Sequence, residues 1–136
     1  MRELVGGCQC GALRYRIEGE PLAVVACHCT ECQRATGSAF GMSMVVPREA
    51  FQIVSGETRS FKRNAESGGS VECVFCPDCG TRITHKPSKM PATLNVKPGT
   101  LDDPSWLKPA LHVWVGSKQP WTPIPDGVRC FEKNPG

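Results

Sequence analysis

Apolar and polar positions alternate along much of this chain with a period of two. From Ala12 to Ile17, Leu13, Tyr15 and Ile17 alternate with Arg14 and Arg16, which predicts a half-buried strand. Ser38 to Val46 repeats the pattern, with Phe40, Met42, Met44 and Val46 on one face before Pro47 ends it. Val71, Cys73 and Phe75 alternate again. Arg82 to Lys86 reads as their return strand, and Thr93 to Val96 sets Leu94 and Val96 on one side. Leu22 to Ala26 and Leu111 to Val115 are further short strands. Phe51 to Val54 and Thr58 to Arg63, joined by the Ser55-Gly56 turn, read as a candidate hairpin. Only Thr30 to Thr36 suggests helix, one or two turns stopped near Gly37. Residues 98–110 form a proline-punctuated loop, and the tail from Gly116 to Gly136, with Pro120, Pro123, Pro125 and Pro135, is expected to run irregularly over the surface. Roughly nine short strands and one helical turn predict an all-β sandwich or folded sheet.

Composition sharpens this picture. A length of 136 residues fits a single domain spanning 1–136. Fourteen glycines and twelve prolines favour turn-rich β structure over a helical bundle. Aromatic residues are few, so the core is thin and open to help from a metal. The formal charge of +3 is spread without a basic run. That argues against nucleic acid or a membrane as partner, and leaves room for a mildly basic site that takes small anions. Met1 to Val5 runs into Gly6-Gly7 with no apolar leader, and no stretch is long enough to span a membrane. The expectation is a cytoplasmic protein. In a reducing compartment nine cysteines read as ligands or catalytic thiols, and their odd number argues against a complete disulfide framework.

The cysteines fall into two sets. Gly7-Cys8-Gln9-Cys10-Gly11 and Cys76-Pro77-Asp78-Cys79-Gly80 are glycine-flanked knuckles far apart in sequence. Together they supply four thiolates, the ligand set of a closed, structural tetrahedral zinc. Cys27-His28-Cys29-Thr30-Glu31-Cys32 places three thiols within six residues. Three thiolates leave one corner of a tetrahedron, either open for chemistry or filled by His28, Cys73, His85 or His112. If the run is extended, the His28 side chain points away from the metal. Cys73 reads as a buried core thiol. Cys130, beside Arg129, is either a reactive thiol or a tail residue without a role. Arg34, Ser117, Lys118 and Trp121 are candidates to hold a carboxylate-bearing substrate, against the plainer reading as surface residues, or for Trp121 as a core plug.

These motifs, in this order, resemble the glutathione-dependent formaldehyde-activating enzyme family, which also contains centromere protein V. The resemblance rests on Cys8-Gln9-Cys10-Gly11, on Cys27 to Arg34, on Thr36-Gly37-Ser38-Ala39-Phe40 and on Phe75 to Gly80. It extends into the tail at Pro109 to Trp114, Ser117-Lys118 and Pro120-Trp121. It implies the family's β-tent of short, mostly antiparallel strands. Cys8, Cys10, Cys76 and Cys79 would then hold a structural zinc, and Cys27, Cys29 and Cys32 a catalytic one. The implied activity is carbon–sulfur lyase chemistry, the reversible joining of formaldehyde and glutathione. Two other classes compete with it: a non-enzymatic binding module with both zinc ions structural, and a redox enzyme of the methionine sulfoxide reductase B type. The B-type pattern uses two C-x-x-C pairs, whereas this chain opens with C-x-C and leaves the Cys27 run unexplained.

Overall fold

The computed structural model describes residues 2–66 and 68–134. Among them the chain forms eleven strands, one α-helix and three short 3₁₀ turns. A three-stranded sheet is built from β1 (Glu3–Gly7), β2 (Arg14–Glu18) and β5 (Phe51–Ser55), in the order β1-β2-β5. The other eight strands are β3 (Ala23–Cys27), β4 (Gly41–Pro47), β6 (Arg59–Asn64), β7 (Ser70–Phe75), β8 (Arg82–Pro87), β9 (Thr93–Val96), β10 (Leu111–Val113) and β11 (Arg129–Cys130). They form one sheet ordered β11-β10-β3-β4-β9-β8-β7-β6. Pairing is antiparallel except at β10, which runs parallel to both β3 and β11. The expected all-β fold is present, and no helix among the described residues is long and apolar enough to cross a membrane.

The core lies between the two sheets. Leu4, Tyr15 and Ile17 of the small sheet pack with Met44, Val46, Ile83, Leu94 and Val96 of the large one. Side chains alternate across a strand. Met44 and Val46 facing the core therefore send Ser43 and Val45 to the opposite face, and register carries that face sideways. Asn95 pairs with His85, His85 with Cys73, and Cys73 with Phe61. Cys27, next to the core-facing Ala26 and opposite Gly41, belongs to this second face. Helix α1 (Thr30–Thr36) packs against β4. Its stop is the expected one, Gly37 in the left-handed region at φ 63°, closing on the Gln33 carbonyl.

Three expectations are corrected. The hairpin of 51–54 with 58–63 does not form: β5 pairs with β2, and β6 with β7. Gly56, at φ 90°, where an added Cβ would run into the Ala12 carbonyl, carries the chain from one sheet to the other. The strand expected at 111–115 ends at Val113, because Trp114 takes a left-handed φ of 59°. The tail is not wholly irregular, since Arg129-Cys130 adds an edge strand beside β10. Pro135 and Gly136 of that tail lie outside the described residues. Strand β1 carried no sequence signal, because its five residues include two glycines and only two apolar side chains.

Candidate metal centres

The two knuckles come together as built copies of one turn. In the first, Gly11 N donates to Cys8 O at 3.1 Å and Cys8 N to Leu13 O at 3.0 Å. In the second, Gly80 N donates to Cys76 O at 2.9 Å and Cys76 N to Thr81 O at 3.0 Å. Gly11 and Gly80 both take positive φ, 84° and 80°, which closes each turn at no steric cost. The four sulfurs of Cys8, Cys10, Cys76 and Cys79 lie within 4.8 Å of one another. Cys8 and Cys10 stand 3.5 Å apart, and Cys10 and Cys76 3.9 Å. A tetrahedron with Zn–S bonds of about 2.3 Å sets its sulfurs ~3.8 Å apart, so the donor set fits zinc. Leu13 N donates to the Cys8 sulfur at 3.2 Å, and the Thr81 hydroxyl lies 3.2 Å from the Cys79 sulfur. The Thr81 hydroxyl and then its amide hold the Cys79 thiol down at about 5. Donors aimed at sulfur favour thiolate.

The sulfurs of Cys27, Cys29 and Cys32 also lie within 4.8 Å of one another, all three partly buried. Two elements place them. Strand β3 delivers Cys27, and α1 begins with Cys29 as its N-cap, whose sulfur accepts from Cys32 N at 3.3 Å. Cys29 therefore ionises first: the Cys27 and Cys32 thiols, then the Cys32 and Glu31 amides, hold it well below the ordinary thiol range. Cys27 is pushed up, chiefly by Cys29, then by Cys32 and burial. At Cys32 the pull of Cys27 downward is outweighed by Cys29 and burial, and its value rises. Three thiols crowded in this way ionise together only around a cation. Among the described residues no fourth histidine, cysteine or carboxylate joins the group.

The residues considered for that corner are all occupied elsewhere. His28 is fully buried, its Nε2 2.8 Å from His112 Nδ1, with Phe40 against the ring. His85 is buried, and its Nε2 accepts from Arg82 Nη1 at 3.1 Å. Burial first, then the charges of Lys97, Arg82 and Arg63, lower its pKa to about 3, so it is neutral. Cys73 is buried as expected, but on the second face of the large sheet and outside the core cluster, where its sulfur lies 3.9 Å from the Val71 carbonyl. Cys130 is exposed on the edge strand β11 and belongs to neither cluster.

The expected substrate residues stand differently. Arg34 is exposed in the last turn of α1. Lys118 donates through Nζ to the carbonyls of Gln119 at 3.1 Å and Thr122 at 2.9 Å, which braces the tail. Trp121 is 71% exposed and is no core plug. Ser117 contributes its carbonyl, which, with that of His28, accepts from Gln33 Nε2 at 3.0 and 2.8 Å. Gln119 Nε2 in turn reaches Gln33 Oε1 at 2.8 Å. Gln33 thus clasps α1 to the tail. Nothing in its place within the Cys32-Gln33-Arg34 run signalled that role.

A group closer to the sulfurs also carried no signal. A methyl group added to Gly41 would stand 3.5 Å from both the Cys32 sulfur and Lys97 Nζ. Lys97 follows β9 directly, and the alternation of that strand turns it away from the core-facing Val96. Burial lowers its pKa, and the Cys32 and Cys27 thiols act against that fall.

An all-β chain that gathers seven cysteines into one four-thiol and one three-thiol cluster is defined as a class by those clusters, each able to hold a metal ion. Its family follows from comparison. The family model described as glutathione-dependent formaldehyde-activating enzyme matches residues 3–117, and the chain belongs to that family. A Colletotrichum graminicola protein provisionally named as a glutathione-dependent formaldehyde-activating enzyme is 26% identical over 93% of this chain and 73% of its own length. A Halomonas elongata protein of the same provisional name is 24% identical over 97% of this chain and 88% of its own. The fold is similar to that of a Rhodobacter sphaeroides protein of known crystal structure. The TM-score is 0.59 at 20% identity, over 77% of this chain and 91% of that one.

Proposed function

We propose that this protein is a zinc-dependent carbon–sulfur lyase that reversibly adds a thiol such as glutathione to a small aldehyde such as formaldehyde. The observation that carries this reading is the three-sulfur cluster of Cys27, Cys29 and Cys32, which has no fourth protein donor among the described residues. Family membership supports the substrate class. Cys8, Cys10, Cys76 and Cys79 form the structural centre, which ties the β1–β2 turn to the β7–β8 turn.

A zinc ion held by three thiolates supplies Lewis acidity and favours the ionised form of a thiol brought to its open position. The chain's own residues do the rest. Cys27, Cys29 and Cys32 are the residues that would hold the ion. The Cys32 and Glu31 amides stabilise the Cys29 thiolate. Gln33 fixes α1, and with it Cys29 and Cys32, against the tail. Carbon–sulfur bond formation then needs thiolate and carbonyl carbon within reach of each other, so positioning supplies much of the rate.

The test is metal analysis joined to adduct formation. The wild-type chain is expected to bind two zinc ions and to accelerate formation of the thiol–formaldehyde adduct. Cys29→Ala should keep one zinc and lose the acceleration. Full zinc content and full activity in Cys29→Ala would overturn the assignment, and a fourth protein ligand seen by zinc X-ray absorption would favour a purely structural centre.

A further inference from the structure

The face of the large sheet that carries Cys27 and α1 also gathers cations. Arg63 and Phe61 lie on β6, Arg82 and His85 on β8, and Lys97 directly follows β9. Glu31 on α1 reaches Arg63 at 3.9 Å across this face, so Arg63 already has a carboxylate. Among the described residues the other two have none. The Arg82 guanidinium lies over the Phe61 ring, 4.7 Å from its centroid, and spends one N–H on neutral His85. A planar guanidinium fixed on both sides in this way keeps its remaining donors oriented for a carboxylate. Lys97 Nζ makes no hydrogen bond or ion pair among the described residues, although its side chain is partly withdrawn from water. It sits at the Cys32 end of the three-cysteine cluster.

Half-buried Arg82 has no carboxylate partner among the described residues and is costly unless something anionic visits it, and Lys97 has only the Cys32 and Cys27 thiols as anionic neighbours. We infer that Lys97 and Arg82 form a carboxylate seat beside the Cys27–Cys29–Cys32 cluster and select thiols that carry a carboxylate over neutral thiols. This rests on the reading of that cluster as the place where a thiol is handled. It assigns the seat to the sheet face, in place of Arg34 on the exposed side of α1 and Lys118, whose donors brace the tail. Phe61, 43% exposed at the edge of the same face, offers an apolar wall to the rest of such a molecule.

The experiment separates the seat from the chemistry. S-Methylglutathione keeps both carboxylates and has no thiol to ionise, and its dimethyl ester lacks the charges. Calorimetric titration of the zinc-loaded protein should show the acid binding more tightly than the ester. Lys97→Gln and Arg82→Gln should each weaken the acid by about ten- to hundredfold, the range of a charge-assisted hydrogen bond, with the ester little changed. Lys97→Arg and Arg82→Lys keep the charge and should retain more acid binding than the glutamines do. Zinc content and thermal unfolding of each variant identify any that fail to fold, and the charge-keeping pair then carries the comparison with wild type. Equal binding of acid and ester, no binding of the acid, or unchanged affinity in folded Lys97→Gln and Arg82→Gln would overturn the seat. Adduct formation by wild type from formaldehyde and saturating glutathione tests the lyase reading, while the unreactive S-methylated pair tests the seat without chemistry, so failure of one is read separately from failure of the other.

Discussion

Gly41→Ala adds one methyl group directly against the Cys32 side of the three-cysteine cluster. Gly41 is buried and faces Cys27 across the β3–β4 ladder. Its φ is not in the left-handed region, so the cost is contact and not backbone strain. The new Cβ would lie 3.1 Å from the Cys32 Cβ and 3.5 Å from its sulfur. Carbon pairs rest at ~3.5–4.0 Å, so Cys32 must retreat by about 0.4 Å or more. Metal sites tolerate about 0.2 Å in ligand distance. Cys32 has little freedom to yield, because it is held inside α1 and its amide bonds to Cys29. Overpacking of this kind costs roughly 1–3 kcal/mol. If the centre absorbs all of it, metal affinity there falls about 5- to 150-fold. The four-cysteine cluster lies outside this contact and should keep its ion. Cobalt(II) titration reads both centres through their thiolate charge-transfer bands, and a competing chelator ranks their affinities. One unchanged and one weakened equivalent is the expected result. Two equivalents at wild-type affinity would refute the argument that Gly41 is glycine to make room for Cys32.

Other perturbations read other parts of the structure. Cys76→Ser removes a buried ligand of the four-cysteine cluster and should cost more than about 4 kcal/mol, the signature of a lost metal; chelation of the wild type should lower its melting temperature in the same direction, and an unchanged melting curve would count against a structural metal. Tyr15→Phe removes the 2.7 Å contact between its hydroxyl and Thr100 Oγ1, at about 1 kcal/mol and roughly 3–5 °C in Tm; no shift would mean that the core already tolerates the loss. His85, buried and held to about 3, lies below its unfolded value, so the unfolded chain takes the proton first as pH falls. Stability should decline from about pH 6.5 toward 3 by up to ~1.4 kcal/mol per unit, and His85→Gln should remove that part of the slope; identical slopes in denaturant titrations at several pH values would show that His85 does not stay neutral.

Local chemistry was legible in the sequence, and lateral pairing was not. The knuckles announced themselves, because cysteine spacing and flanking glycine fix a turn by themselves. The Thr30–Thr36 helix and its Gly37 stop were legible for the same reason. Strands with buried faces, such as β2 and β4, showed in their alternation. The hairpin reading of β5 and β6 failed because adjacency in sequence is only a prior, and Gly56 passes the chain between sheets. The parallel pairing of β10 with β3, residues 111–113 beside 25–27, has no local signature at all. That also explains the missed cations. Arg82 and Lys97 look like ordinary polar positions of short strands, and only the order β4-β9-β8-β7-β6 brings them to the face that carries Cys27.

The two clusters differ in how their surplus charge is met, and the difference agrees with their proposed roles. Four thiolates around a divalent ion leave two negative charges, and three leave one. At the four-cysteine cluster, Cys10 is exposed, Leu13 N donates to Cys8, and the Thr81 hydroxyl and amide act on Cys79. Water and fixed dipoles suffice there, because nothing further arrives. At Cys27, Cys29 and Cys32 all three sulfurs are partly buried, and the nearby fixed charge is the Lys97 ammonium. On the reading proposed above, an incoming thiolate raises this buried centre from one negative charge to two. Its arrival would be opposed in a water-poor setting without a cation close by. Lys97 is placed to offset that added charge, which a closed structural site would never acquire.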